Sequence, residues 1–203
     1  MAIQVTDTRI AWEGSSWRLR VNTLRTPGGA QLQKGHIEHP GAVVLVPVVE
    51  TAVSTGSTNA VSTGSTNAVS TGSTTGSPQI LMLRQYRLSL DETILELPAG
   101  TKGWHEDWLD CAQRELREET GYRADTLQLL GEIWPAPGVS NELMHIYLAT
   151  GLQPDPLPGD ADEEIELQPM ALDELVNMAQ NGRLRDAKSI IGILWAAAHL
   201  PRN

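Results

Sequence analysis

The chain is short of basic residues, nearly free of cysteine, and without any long apolar run, and each shortage removes a class of function. Lys and Arg number 15 against 25 Asp and Glu, a formal net charge of −10, with a pI of about 4.9. Binding to a nucleic-acid backbone needs a basic face, so nucleic acid is not expected as a partner. The lone Cys111 cannot form an intrachain disulfide and reads as a small buried hydrophobe. The longest apolar stretches, Ala42 to Val49 and Ile190 to Leu200, are too short to span a bilayer. Met1 to Ile10 lacks the basic start and apolar core of a secretory signal. A cytoplasmic protein with no membrane partner is the expectation. What remains, 203 residues of which 40% are hydrophobic, is enough for one domain with a core and an appendage.

The stretch richest in chemistry runs from Gly100 to Tyr122. Leu109, Ala112 and Leu116 recur at helical spacing and Gly121 follows as a C-terminal cap, which predicts a helix over Asp107 to Thr120. At about 100° per residue, Glu115, Glu118 and Glu119 project from one edge of that helix, beside the apolar stripe. For a helix that is only structural this is a poor arrangement. Glu115 and Glu119 are like charges four apart, which costs roughly a few tenths of a kcal/mol. Glu118 and Glu119 also lie in the last turn, where the helix dipole disfavours anions. Arg114, four before Glu118, offsets part of this. A hard divalent cation would offset the rest, since Mg²⁺ and Mn²⁺ take carboxylate, carbonyl and water oxygens and complete their shells with substrate phosphates. The alternative is a solvated acidic helix face.

The complete pattern decides between these. From Gly100 through Glu106 and Arg114-Glu115-Leu116-Arg117-Glu118-Glu119-Thr120-Gly121-Tyr122 the sequence resembles the Nudix hydrolase signature, G-x5-E-x7-R-E-U-x-E-E-x-G-U with U bulky and apolar, and the aromatic Tyr122 is the one soft match. The resemblance implies a loop-helix-loop that holds Mg²⁺ or Mn²⁺, two or more ions per site, against a diphosphate. It implies Glu115, Glu118, Glu119 and the backbone carbonyl of Ala99 as metal ligands, Arg114 as the residue that orients the carboxylates, and Glu106 as a brace for the loop.

Along the chain, Ile10 to Val21 alternates with a period of two, and Ala30 to Ile37 returns after the turn at Thr26-Pro27-Gly28-Gly29. Residues 1–39 therefore read as a small N-terminal antiparallel sheet, too small to be stable alone. Trp12 and Trp17 are either its core or a surface that stacks a base or packs a dimer. Ala42 to Val49 reads as a buried strand interrupted by Pro47, with His39 structural before it. Residues 52–77 carry three copies of Ala-Val-Ser-Thr-Gly-Ser-Thr-Asn, the third altered at its end. That composition offers little apolar surface to offset ordering entropy, so it reads as a flexible loop inserted between two paired strands and tolerant of deletion.

Gln79 to Arg87 is the next strand, Leu90 to Leu97 follows it, and Pro98-Ala99-Gly100 makes the turn into the loop before the helix; after the helix come strands at Thr126 to Trp134 and Leu143 to Ala149, then a proline-rich loop from Leu152 to Gly159 and an acidic run from Asp160 to Glu166. Helices over Ala171 to Asn181 and from a cap at Asp186 to about His199 close the chain.

Further details resemble the ADP-ribose pyrophosphatase branch of the family. Arg84-Gln85-Tyr86-Arg87 matches a run common there, which implies phosphate contacts by Arg84 and Arg87. Pro137, fifteen residues beyond Tyr122 and within Pro-Gly-Val-Ser-Asn-Glu, matches a branch marker and brings Glu142 into the substrate-binding set. The acidic loop implies a water-activating glutamate, Glu163 first and Glu164 next. An N-terminal sheet that carries Trp12 and Trp17 implies a homodimer whose sheet helps form the site.

The fold implied is an α/β/α sandwich around a mixed sheet over 40–203. The reaction implied is metal-dependent hydrolysis of a nucleoside diphosphate sugar, ADP-ribose to AMP and ribose 5-phosphate. GDP-mannose, a dinucleotide and a catalytically silent nucleotide-sugar sensor are the alternatives.

Overall fold

The computed structural model describes residues 2–49, 77–159 and 164–200. The repeat, Glu163 and the two chain ends therefore lie outside the described residues. In chain order the elements are β1 (Gln4–Glu13), β2 (Arg18–Arg25), β3 (Gln31–Glu38), β4 (Ala42–Val49), β5 (Gln79–Arg87), β6 (Glu92–Glu96), β7 (Ala99–Thr101), α1 (Trp108–Thr120), β8 (Tyr122–Ile133), β9 (Met144–Pro154), β10 (Ile165–Ala171), α2 (Leu172–Gln180) and α3 (Ala187–His199).

β4 organises the larger sheet. Its run Ala-Val-Val-Leu-Val-Pro-Val is buried residue after residue, as a strand covered on both faces requires. Val43 and Leu45 point to a cluster with Cys111, Ala112 and Leu116 of α1. Val44, Val46 and Val48 point the other way, to Leu172, Leu175 and Val176 of α2 and Ile193 of α3. A strand whose side chains alternate between two helical layers is the middle of an α/β/α sandwich. The sheet is mixed, in the order β10-β5-β4-β9-β8 with β6 on β5 and β7 on β4. β4 runs parallel to β9 and antiparallel to β5. Val48 faces Ile80 and Val49 faces Gln79, so the strands on either side of the repeat are paired as expected. Among the described residues, no helix is long and apolar enough to cross a membrane.

The N-terminal residues form a separate antiparallel sheet, β1-β2-β3. It meets the sandwich through Ile37, whose N–H donates to Val139 O at 2.8 Å and whose carbonyl accepts from Asn141 N at 3.2 Å. Every residue of β1 is exposed.

Several sequence-based expectations shift. Leu109 is exposed, and the buried arc of α1 runs instead through Cys111, Ala112, Glu115, Leu116 and Glu119. The turn expected at Gly100 is a short strand, β7, because Ala42 to Val44 offer it an open edge. The Ile10 to Val21 stretch is split by a tight turn into β1 and β2. The acidic run ends where β10 begins at Ile165, and β10 lies along β5 from Ile165↔Gln85 to Ala171↔Gln79.

Candidate active site

Asp107 caps α1, its carboxylate accepting from Leu109 N at 2.8 Å, and Gly121 ends the helix at φ 78°. Between these ends the helix lies against β7, whose backbone covers the edge that bears the glutamates. Glu115 and Glu119 are consequently buried rather than solvated, at 8% and 7% exposure. Glu119 Oε2 accepts from Ala99 N at 2.8 Å. Gly100 is required by the contact itself, since a Cβ there would stand 1.9 Å from the Glu115 carboxyl carbon.

Arg114 joins the group. Its Nε donates to Glu106 Oε1 at 2.8 Å and its Nη2 to Glu106 Oε2 at 3.1 Å. Its Nη1 lies 2.7 Å from both Glu115 Oε1 and Glu118 Oε2, and Nη2 also reaches Thr101 O at 3.2 Å. Glu106 Oε2 accepts from Gly103 N at 2.8 Å, which ties the loop before the helix to the same guanidinium. Paired to Arg114 in this way, the Glu106 carboxyl is held down at about 2. Burial pushes the neighbouring Cys111 thiol up, which leaves it a poor nucleophile.

Glu115, Glu118 and Glu119 line one cavity of about 280 Å³ with Arg114, Arg87 and the backbone of Ala99 to Thr101. Ser16, in the turn between β1 and β2, completes its wall. Among the described residues, no set of three or more His, Cys, Asp or Glu is already gathered closely enough to hold a metal ion. The donor set nevertheless suits a hard dication: three carboxylates around one polar cavity, lined by a backbone that a Cβ would obstruct.

A second cavity of about 290 Å³ adjoins the first across Arg87, Ala99, Gly100 and Thr101, and is lined further by Glu142, Met144, Asp186 and Lys188. Burial raises the Glu142 carboxyl above its ordinary value. Glu142 Oε1 stands 3.8 Å from His39 Nδ1.

The other residues singled out from the sequence lie elsewhere. Arg84 and Arg87 are an odd number of residues apart on one strand and so face opposite sides. Arg87 reaches both cavities; Arg84 lines a separate exposed groove with Tyr86, Thr93, Glu164 and Glu166. Trp12 and Trp17 are half-exposed and pack on each other, with ring centroids 4.3 Å apart. What approaches the box loop is the turn between them, together with the Arg18 guanidinium, 4.3 Å from the Trp104 ring. Lys188 and Glu96 were missed by sequence reasoning. Ala-Lys after the helix cap at Asp186 was a weak signal, and only the packing of α3 on β6 brings it to the site.

A family model for the NUDIX domain matches residues 65–191. The chain belongs to the Nudix family. Among its relatives is a methanol dehydrogenase activator of Bacillus methanolicus, 29% identical over 93% of this chain and 89% of that one. An ADP-ribose pyrophosphatase of Bacillus subtilis is 28% identical over 87% of this chain and 83% of its own. A crystal structure of an ADP compounds hydrolase superposes with a TM-score of 0.73 at 18% identity, over 98% of this Nudix chain and 95% of the other; that likeness concerns the fold.

Proposed function

We propose that this Nudix enzyme hydrolyses the diphosphate of a nucleoside diphosphate sugar, with ADP-ribose the first candidate, to AMP and ribose 5-phosphate. The observation that carries the reading is the group of three box glutamates lining one cavity beside Arg87. The water oxygen bonds to one phosphorus while the bond from that phosphorus to the bridging oxygen breaks, and the proton released from water passes to a base. Glu115, Glu118, Glu119 and the Ala99 carbonyl are the residues that would hold divalent ions, Mg²⁺ or Mn²⁺ and two or more per site. Bound there, such ions supply charge neutralisation and polarisation of the phosphoryl oxygens.

The chain's own residues supply the rest. Arg114 fixes the rotamers of Glu115 and Glu118 through charge-assisted bonds. Burial of Glu115 and Glu119 lowers the local dielectric, which strengthens their hold on a cation. Arg87, on the wall of the same cavity, is the proposed contact for a phosphate oxygen. Glu163 is the proposed base on the family resemblance, with Glu164 as the second choice. Glu142 lines the adjoining cavity, where a sugar hydroxyl could donate to it.

A homodimer through the N-terminal sheet is part of the same reading, supported by the exposed apolar side chains of Ile3, Val5, Ile10 and Trp12 on β1 and its flank. Sedimentation of the full chain tests it. The Bacillus methanolicus relative is named for activation of another enzyme, and hydrolysis is the chemistry that would use the box glutamates.

The decisive experiment is a panel of nucleoside diphosphate derivatives with Mg²⁺ and separated products, run beside Glu119→Gln. Turnover by the wild type and a loss of about 10²–10³-fold in the variant are expected. A wild type that cleaves nothing, or a variant that matches it, overturns the reading.

A further inference from the structure

Glu96 is 1% exposed, as deep as the apolar core around it. Its Oε1 accepts from Arg87 Nε at 2.8 Å and its Oε2 from Arg87 Nη2 at 2.9 Å, and Lys188 Nζ closes on the same Oε2. Lys188 also donates to Asp186 Oδ2 at 3.0 Å. Asp186 caps α3 by accepting from Ser189 N at 3.1 Å, and Ser189 Oγ accepts from Leu97 N at 2.7 Å. Three elements, β5, β6 and α3, are therefore fastened around one carboxylate.

Stability alone is a weak reason for such a cluster, because well-packed apolar residues usually serve a buried site as well as ion pairs do. What the cluster does is aim two cations. Arg87 lines both cavities and Lys188 the second, so the pair stands at their seam. Without Glu96 the guanidinium loses its bidentate partner and Lys188 keeps Asp186 but not the carboxylate it shares with Arg87, so both side chains gain rotamer freedom. With it, the bidentate grip on Nε and Nη2 fixes the guanidinium plane, and Lys188 is held beside it.

We propose that Glu96 is a positioning residue for phosphate recognition, holding Arg87 and Lys188 as a two-cation clamp on the diphosphate of the substrate. This rests on the reading of the site as a nucleoside diphosphate hydrolase and adds to it two residues, Glu96 and Lys188. The cluster carries two acids and two bases, so it contributes direction more than field strength, and its removal affects binding before chemistry.

The test uses the full chain and imidodiphosphate, the P–N–P analogue, titrated calorimetrically in Mg²⁺. Glu96→Gln, Lys188→Met and the double variant are compared with wild type. Each single change is expected to weaken binding about tenfold, and the double variant little more than either, because both act on one clamp. In turnover, KM rises about tenfold while kcat changes less than about threefold. Binding by Glu96→Gln equal to wild type, losses that multiply in the double variant, or a fall in kcat at constant KM overturns the proposal. Should Glu96→Gln fail to fold, Lys188→Met keeps the Arg87 to Glu96 pair and must show the loss by itself; normal binding overturns the proposal. A wild type that binds the analogue through these residues yet hydrolyses nothing supports the clamp while overturning the proposed reaction.

Discussion

Two acidic clusters flank β7, and their charges are set up in opposite ways. Around α1, Arg114 is shared by Glu106, Glu115 and Glu118, with Glu119 bound to Ala99 N beside them, so carboxylates outnumber the guanidinium that gathers them. Lys102 is close by but donates to the carbonyls of Gly103 and Glu106. Around α3, Glu96 and Asp186 meet Arg87 and Lys188, two acids with two bases. Natural burial of carboxylates normally comes with partners. The acid-rich cluster suits the cations proposed above, whereas the matched one holds its own members in fixed positions.

The comparison breaks first at Gly100. A methyl group there must displace the Glu115 carboxylate, whose carbon would be 1.9 Å away. Gly100→Ala is expected to cost about 10²-fold in kcat/KM through misplacement and roughly 1–3 kcal/mol of stability through overpacking. Steady-state kinetics and thermal melts measure both. Wild-type activity in this variant would mean that Glu115 does not need its present position.

Next come two charge neutralisations in metal-free protein. Glu96→Gln removes the carboxylate that Arg87 and Lys188 share and is expected to destabilise the fold by about 3 kcal/mol, a fall of roughly 6–12 °C in Tm for a chain of this size. Glu115→Gln relieves repulsion with Glu119 but gives up one contact of a guanidinium that keeps two other carboxylates, so its cost in Tm is expected to be smaller than that of Glu96→Gln. Adding Mg²⁺ should then separate them again. Wild type and Glu96→Gln gain stability from the ion, as mass action requires of a site present only in the folded state, and Glu115→Gln gains little. Equal effects of the two substitutions without metal would erase the distinction.

The first cluster was legible in the sequence and the second was not, and the reason is range. The capping Asp107, the box residues and Gly121 all lie within one helix and its loops, where spacing alone sets geometry. Their burial was not legible, because it comes from β7, which begins inside the expected turn Pro98-Ala99-Gly100 and forms because β4 offers it a partner. Glu96, Arg87 and Lys188 come from two strands and a helix separated by some 90 positions, as in the Lys188 bond to Glu96. No local period announces such a meeting. β4 could be read as buried on both faces from its apolar run, since composition carries that fact. The opposite directions of Arg84 and Arg87 follow from strand alternation, yet the family resemblance had grouped them.

The smallest effect distinguishes Glu106, in the acid-rich cluster, from Glu142 by pH. The Arg114 guanidinium, with help from Gly103 N, lowers the Glu106 carboxyl from its ordinary 4.5 to about 2. A depressed carboxylate stabilises the fold at pH above its unfolded value and loses that contribution as pH falls through its folded one. The stability difference between wild type and Glu106→Gln should therefore shrink as pH drops from about 4.5 to 2. Glu142, in the second cavity, has the opposite slope. Burial raises its carboxyl, so its contribution is present below the ordinary carboxylate value and lost as pH rises past it, and Glu142→Gln should gain on wild type across that rise. Denaturant melts of both variants over the acidic range measure the two slopes. Slopes of the same sign would show that the ion pair at Glu106 and the burial at Glu142 do not act on their carboxyls in opposite directions.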